Sequence, residues 1–202
     1  MGIDDPLVSL RGSNSVSNIT ASTVEPIAFE TVYYGEKVSY NRKSYFFELS
    51  EEDLQEANTW EIHTLQTLDI NIYGAYPLPR RVLDASTPLR AVIVADLDAG
   101  QEGQHTFDAF RKMEEKDYDF VLHVGDFAYD INNDNGQRGD RFFEQMSNTI
   151  TTRIPYMISG GNHEQINNGT MLQYRFKMPG CGDRVNRRNY YYSFNLKNVH
   201  FI

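Results

Sequence analysis

After Pro88 the chain alternates short apolar runs with segments of helical spacing, and this alternation narrows the possible folds more than any other feature. Ala91-Val-Ile-Val-Ala95, Phe120-Val-Leu-His-Val124 and Ile154-Pro-Tyr-Met-Ile158 read as strands buried on both faces. Between the first two, Phe107, Phe110 and Met113 recur at helical spacing among charged residues. Between the second and third, Phe142, Phe143, Met146 and Ile150 do the same, with Asp140 as the expected N-cap. Strand, helix, strand, helix, strand implies stacked βαβ units on a parallel sheet, an α/β fold. Tyr190–Phe194 and Asn198–Ile202, separated by Asn195-Leu-Lys, predict a closing hairpin.

The upstream texture differs. Residues 1–24, rich in Ser, Asn and Thr, predict a poorly ordered lead-in. Residues 25–76 predict a small β-rich domain, with strands at Phe29–Tyr34, Tyr45–Leu49, Trp60–Thr64 and Asp69–Tyr73 and one helical turn at Ser50–Asp53. Pro77, Pro79 and Pro88 mark a linker over 77–88, and 89–202 forms the α/β domain. Hydrophobic residues make up 40% of the 202, with 13 Tyr and 12 Phe, enough for a packed core. A net charge of -9 argues against a nucleic-acid partner. No run of 18 apolar residues predicts a membrane span. Cys181 is the only cysteine, which excludes an internal disulfide framework and a cysteine-based zinc site and suggests a loop thiol. Met1–Arg11 lacks the apolar stretch of a signal peptide, and Pro6 stands where a myristoylation signal wants Ser or Thr. The triplets Asn18-Ile-Thr and Asn168-Gly-Thr are glycosylation sequons, compatible with a secretory route.

Polar residues follow all three apolar runs: Asp96, then Gly125-Asp126, then Gly161-Asn162-His163-Glu164. In open α/β sheets, ligands bind at this edge. Each interval between Asp96, Asp126 and Asn162 suits one crossover, so neighbouring strands can bring the three to one crevice. Asp and Asn supply hard oxygen donors and Tyr129 adds a phenolate oxygen, a set for hard or borderline metals. A bridging carboxylate can hold two cations that clamp a phosphate and acidify a water. Gly125 and Gly161 let the backbone turn sharply and a ligand approach. Asp and Gly after a single strand merely make a turn; three such ends together point to a site.

Gly125-Asp-Phe-Ala-Tyr129 and Gly161-Asn-His-Glu164 resemble the second and third metal-site motifs of the purple acid phosphatases, within the calcineurin-like metallophosphoesterases. The resemblance, strongest to the animal-type branch, runs from residue 90 to 202 through Asp134-Asn-Gly-Gln-Arg-Gly-Asp-Arg-Phe142, Tyr174-Arg-Phe-Lys-Met-Pro-Gly180 and Tyr191-Tyr-Ser-Phe-Asn-Leu-Lys-Asn-Val-His-Phe-Ile202. It implies the front half of an αββα sandwich after a fibronectin-like domain, which residues 25–76 match only in texture. It implies phosphate monoester hydrolysis, as an acid phosphatase, by a metal-bound hydroxide at a binuclear centre of Fe(III) and a divalent ion (Zn, Fe or Mn). Asp96 would bind the ferric ion, Asp126 bridge both metals, Tyr129 bind the ferric ion as the phenolate behind the purple colour, and Asn162 bind the divalent ion. His163 would meet the substrate phosphate as hydrogen-bond donor or acid. Substrates would be phosphorylated small molecules or phosphoproteins, in a secreted or lumenal setting.

Two departures stand out. Ala95-Asp96-Leu97-Asp98 replaces the family's G-D-x-G, and Asp98 is expected to face solvent, with an added-ligand role as the alternative. The family's last two motifs, which carry the remaining His ligands, lie beyond Ile202, so this chain alone is expected to be incomplete and inactive. The alternative is a truncated or degenerate non-catalytic paralogue. Tyr129 disfavours a phosphodiesterase or nucleotidase of the wider superfamily. Among the remaining candidates, His123 reads as a core histidine and His200 as structural, while His63 and His105 lack context. Asp130, Asn132 and Asp134 alternate like a calcium loop, but Asn135 and Arg141 occupy the required Gly and Glu places.

Overall fold

The computed structural model describes residues 6–12, 16–21, 23–33, 36–50, 52–53, 57–66, 69–77, 85–179 and 189–202. They fall into two compact units, one of residues 1–27 and 42–80, the other of 28–41 and 81–202. Cys181 and residues 78–84 of the expected linker lie outside the described residues.

The first unit is built on β1 (Leu7–Gly12), β2 (Val16–Thr20), β5 (Ala57–Gln66) and β6 (Asp69–Pro77), an antiparallel sheet in the order β2-β1-β5-β6. β3 (Thr23–Tyr33) and β4 (Glu36–Phe46) pair with each other. The expected lead-in is thus corrected, because two of its segments are strands. Its polar residues hid this because they pair across the sheet. Ser9 Oγ donates to Asn18 Oδ1 at 2.7 Å, and Arg11 Nε meets Glu61 Oε2 at 2.8 Å. Val8, Leu10 and Ala57 bury a small core with Ile19, Phe47, Leu49 and Trp60 packed on it. At Ser50 the predicted helix-starting box is present: Asp53 N–H donates to Ser50 Oγ at 3.1 Å, and Ser50 N–H donates back to Asp53 Oδ2 at 2.8 Å.

The second unit holds the parallel sheet β7 (Ala91–Val94), β8 (Phe120–Val124) and β9 (Tyr156–Ser159), in that order. The third strand starts later than predicted. Ile154 N–H closes a turn onto the Ile150 carbonyl, and Pro155, which has no N–H, instead accepts from Val121 N–H at 2.9 Å. Helices α1 (Gln104–Lys112), α2 (Gln137–Ser147) and α3 (Ile166–Arg175) follow the strands. Met113 lies just past the end of α1. The cap of α2 is Gly136 at φ 84, not Asp140, which sits in the first turn and pairs with Arg175 at 2.6 Å. Ile150 opens a separate 3-10 turn capped by Thr149. The closing hairpin is shorter than expected: β10 (Phe194–Leu196) meets β11 (Val199–Phe201) through a two-residue turn with Lys197 at φ 53. Among the described residues, no helix is long and apolar enough to cross a membrane.

The aromatic residues of the helices and loops pack on one face of this sheet. Phe107 and Phe142 meet edge to face at 6.1 Å, and Phe127 contacts both Phe142 and Phe176. On the other face Phe120 packs against Phe194 and Phe201 of the hairpin. Beside the hairpin lies an open groove of about 650 Å³, lined by Leu122, Val124, Ile158, Tyr191 and Phe201 among others. Ile93 is 69% exposed, which corrects the expectation of strands buried on both faces.

His123 is a core residue, as predicted. It is fully buried, its Nδ1 lies 2.6 Å from Tyr156 Oη, and its Nε2 has no partner among the described residues. Burial lowers its pKa from 6.5 to about 3, against a small upward pull from Asp96. A depressed folded-state value means that the unfolded chain takes up the proton first. Stability contributed by neutral His123 is therefore complete above pH 6.5 and is lost as the pH falls toward 3. The slope amounts to about 3 kcal/mol between pH 7 and pH 4. Urea unfolding across that range is expected to show this loss in the wild type and a flatter profile in His123→Phe. Parallel profiles would mean that His123 does not titrate as its burial dictates.

Candidate metal centre

The register pairs Val94 with His123 and Val124 with Ser159, so the three parallel strands end together. Asp96, Asp126 and Asn162 leave from these ends onto one edge of the sheet. Backbone bonds carry the pairing into the loops: Asp96 N–H donates to the Gly125 carbonyl at 3.3 Å, and Leu97 N–H to the Asp126 carbonyl at 3.1 Å. Asp96, Asp126 and Tyr129 all have positive φ, at 53°, 54° and 40°. A side chain held in the left-handed region costs of order 1–3 kcal/mol and persists only where its surroundings determine it.

Glu164, buried at 1% exposure, supplies much of that determination. Its carboxylate accepts the N–H groups of Asp126 at 2.8 Å, Phe127 at 3.1 Å and Gly161 at 2.9 Å, stitching the loop after β8 to the loop after β9. His163 N–H donates to Asp126 Oδ1 at 3.1 Å. The two loops approach too closely for a side chain at Gly161, where an added Cβ would sit 2.1 Å from Asp126 Oδ1.

Tyr129 Oη donates to Asp96 Oδ1 at 2.5 Å, joining residues from two different strand ends. This bond is the main reason the phenol is pushed up to about 12; burial and the charges of Asp96, Asp126 and Asp98 add to it. His163 stacks edge-on against Tyr129 with centroids 4.6 Å apart, and its Nδ1 lies 2.5 Å from Asp130 Oδ1. That hydrogen bond raises the imidazole above its ordinary value, against the effect of burial and with help from the Asp130, Asp126 and Glu164 charges. Asn162 is exposed at the end of this loop, and its carbonyl accepts Gln165 N–H at 3.3 Å.

Two residues depart from the sequence reading. Asp98 does not face solvent: its side chain is 16% exposed and ion-paired with Arg138. Asp130 reads in the sequence only as part of an imperfect calcium loop, yet it is the partner of His163. The available signal was its place directly after Tyr129 in His123-Val-Gly-Asp-Phe-Ala-Tyr-Asp130. His105 is exposed, and His200 bonds Asn195 across the hairpin at 2.7 Å.

Among the described residues, no three His, Cys, Asp or Glu side chains form a metal-holding group. The set here is different: two carboxylates, a phenol and an amide. Its chemistry fits a cation. Neither Asp96 nor Asp126 has a cationic side-chain partner among the described residues, and their charge is concentrated enough to hold back ionisation of Tyr129. A hard cation would relieve that potential and take the oxygen donors.

Residues 89–201 match the calcineurin-like phosphoesterase family. Acid phosphatase type 7 of Danio rerio is 38% identical over 106 residues, covering 52% of this chain and 23% of that protein. Acid phosphatase type 7 of Homo sapiens is 41% identical over 85 residues, covering 42% of this chain and 18% of that one. The match thus spans less than a quarter of the length of these curated relatives. A purple acid phosphatase from yellow lupin (Lupinus luteus) seeds superposes with a TM-score of 0.66 over 95% of this chain and 38% of the other, at 19% identity, which speaks for the fold alone.

Proposed function

The chain belongs to the calcineurin-like phosphoesterase family, and on that premise we propose that it contributes to hydrolysis of phosphate monoesters at a two-cation site. The observation that carries this reading is the convergence of Asp96 and Tyr129 at 2.5 Å beside Asp126, from separate strand ends. Asp96 and Tyr129 would hold a ferric ion, Asp126 would be shared, and Asn162 would serve a divalent ion (Zn, Fe or Mn). When bound, such a pair neutralises the carboxylates, attracts the phosphate and makes a nucleophile of water. Without cations, Asp96, Asp98 and Asp126 would repel an anionic ester. Asp126 and Asn162 offer the divalent ion only two donors, so water, substrate or further groups complete its shell.

The protein's own acid chemistry resides in His163. Against a carboxylate oxygen of Asp130, Nδ1 is the donor, which leaves Nε2 for the substrate. The raised pKa keeps the ring cationic further up the pH scale than a free imidazole. It can therefore hydrogen-bond the phosphate and protonate the departing alkoxide under mildly acidic conditions. A phosphorylated small molecule or phosphoprotein in a secreted or lumenal setting is the corresponding substrate class. Hydrolysis of an aryl phosphate, measured on enzyme carrying these residues, tests the reading. Asn162→Ala is expected to need more divalent ion to reach half its maximal rate, because the change removes one of the two oxygen donors proposed for that ion. An unchanged metal requirement, or turnover indifferent to chelation, would count against the site.

A further inference from the structure

We propose that Arg138 is a positioning residue of this site, clamping the loop after β7 to the loop after β8 so that Asp96 meets Tyr129. The proposal rests on the metal-site reading above. Arg138 extends from the first turn of α2, and its guanidinium makes two bonds in different directions. Nη2 pairs with Asp98 Oδ1, in the loop that carries Asp96, and Nε donates to the carbonyl of Ala128, the residue before Tyr129. One planar fork thus spans both halves of the Asp96–Tyr129 contact. Its fixed geometry suits two acceptors held at a set separation, which a lysine ammonium on a flexible stem does not reproduce.

The charge arrangement gives the same assignment. Asp98 lies two residues from Asp96 in a neighbourhood already crowded with carboxylates, and is only 16% exposed. Its other oxygen contact is local: Oδ1 also accepts the N–H of Ala99 at 2.7 Å. Bound in this way, Asp98 turns toward Arg138 and is held back as an added donor to a cation at Asp96. Arg138 is itself 28% exposed, and the two acceptors of its guanidinium are a carboxylate and a backbone carbonyl of the two loops.

A simple electrostatic role and a positioning role have opposite signs, which makes the test sharp. Removing a cation near the site should by charge alone strengthen metal binding. Removing a clamp should spoil the contact between the iron and Tyr129. The chain, Arg138→Lys and Arg138→Met are titrated with ferric nitrilotriacetate, reading both iron bound and the visible phenolate-to-iron absorbance. In parallel, hydrogen exchange is followed at Leu97 N–H, which bonds across the two loops and needs no metal to report. Arg138→Met is expected to lose at least about tenfold in absorbance per bound iron and to exchange Leu97 at least about tenfold faster, with Arg138→Lys between it and wild type. Wild-type absorbance per iron together with wild-type exchange in Arg138→Met would overturn the clamp. Iron bound by the wild type without absorbance would instead remove Tyr129 from the metal site, and the exchange result would then decide the clamp alone.

Discussion

In an active enzyme carrying this segment, His163→Ala is expected to slow hydrolysis of an aryl phosphate by about 10²–10⁴-fold while the metal content stays at the wild-type level, because the change removes a proton donor and no proposed metal ligand. The asymmetry follows from how the side chain is held. Its backbone N–H bonds Asp126 Oδ1, a contact that alanine keeps. Its imidazole is held by Asp130 and by the edge of Tyr129, contacts that alanine loses. Asp130→Asn should act on the same step more mildly, by removing the carboxylate that raises the imidazole pKa. Parallel assays of turnover and bound metal decide the matter. Loss of metal in His163→Ala would make the ring a ligand, and unchanged turnover would remove it from the chemistry.

Glu164→Ala carries the largest expected effect on stability. One carboxylate, 1% exposed, accepts three backbone N–H groups from two loops. An orphaned buried donor costs about 1–3 kcal/mol, so three of them partly relieved by water amount to a loss on the order of 4 kcal/mol. Burial raises the Glu164 pKa, and the three N–H bonds pull it back only in part. Glu164→Gln keeps one oxygen acceptor and should fall between. The change should also release Asp126 from its left-handed conformation, since the N–H that Glu164 holds is that residue's own. Chemical denaturation measures the stability change. A loss under about 1 kcal/mol would show that the loops stay joined without this carboxylate.

The α/β unit was legible because its signals are local. Three apolar runs of strand length, separated by Phe107 and Phe110 in one interval and Phe142 and Met146 in the next, leave few alternatives to a parallel sheet. Helix α3 was not legible. Asn167-Asn168-Gly169 interrupts its apolar pattern, and Gly169 adopts φ 67 inside the helical stretch. The strand at Leu7–Gly12 was hidden for another reason. Its polar residues find partners across the sheet, at Asn18 and Glu61, and pairing is invisible to composition. The exposure of Ile93 is not legible in the sequence, because an apolar run shows what a strand can bury, not what covers it.

The positions that follow the strand ends are readable from the sequence: Asp96, Asp126, Tyr129, Asn162 and His163 all lie in the loops after β7, β8 and β9, and their roles are the proposal's. The residues that hold them were not. Asp130 and Arg138 lie in a polar stretch whose most visible pattern was an imperfect calcium loop. Their roles depend on where α2 begins and which way two side chains turn, and neither is written in spacing. Asp98 shows the same limit. As a carboxylate in place of a glycine it was expected in solvent, and only the opposing Arg138 accounts for its burial.

The measurement closest to the central claim is a ferric titration followed in the visible range, on wild type and on Tyr129→Phe. The account predicts a phenolate-to-iron absorption band that grows with bound iron in the wild type and is missing from Tyr129→Phe, because the proposal assigns the ferric ion to Asp96 and Tyr129, whose oxygens meet at 2.5 Å. A colourless iron-loaded wild type, or a coloured Tyr129→Phe, would contradict it.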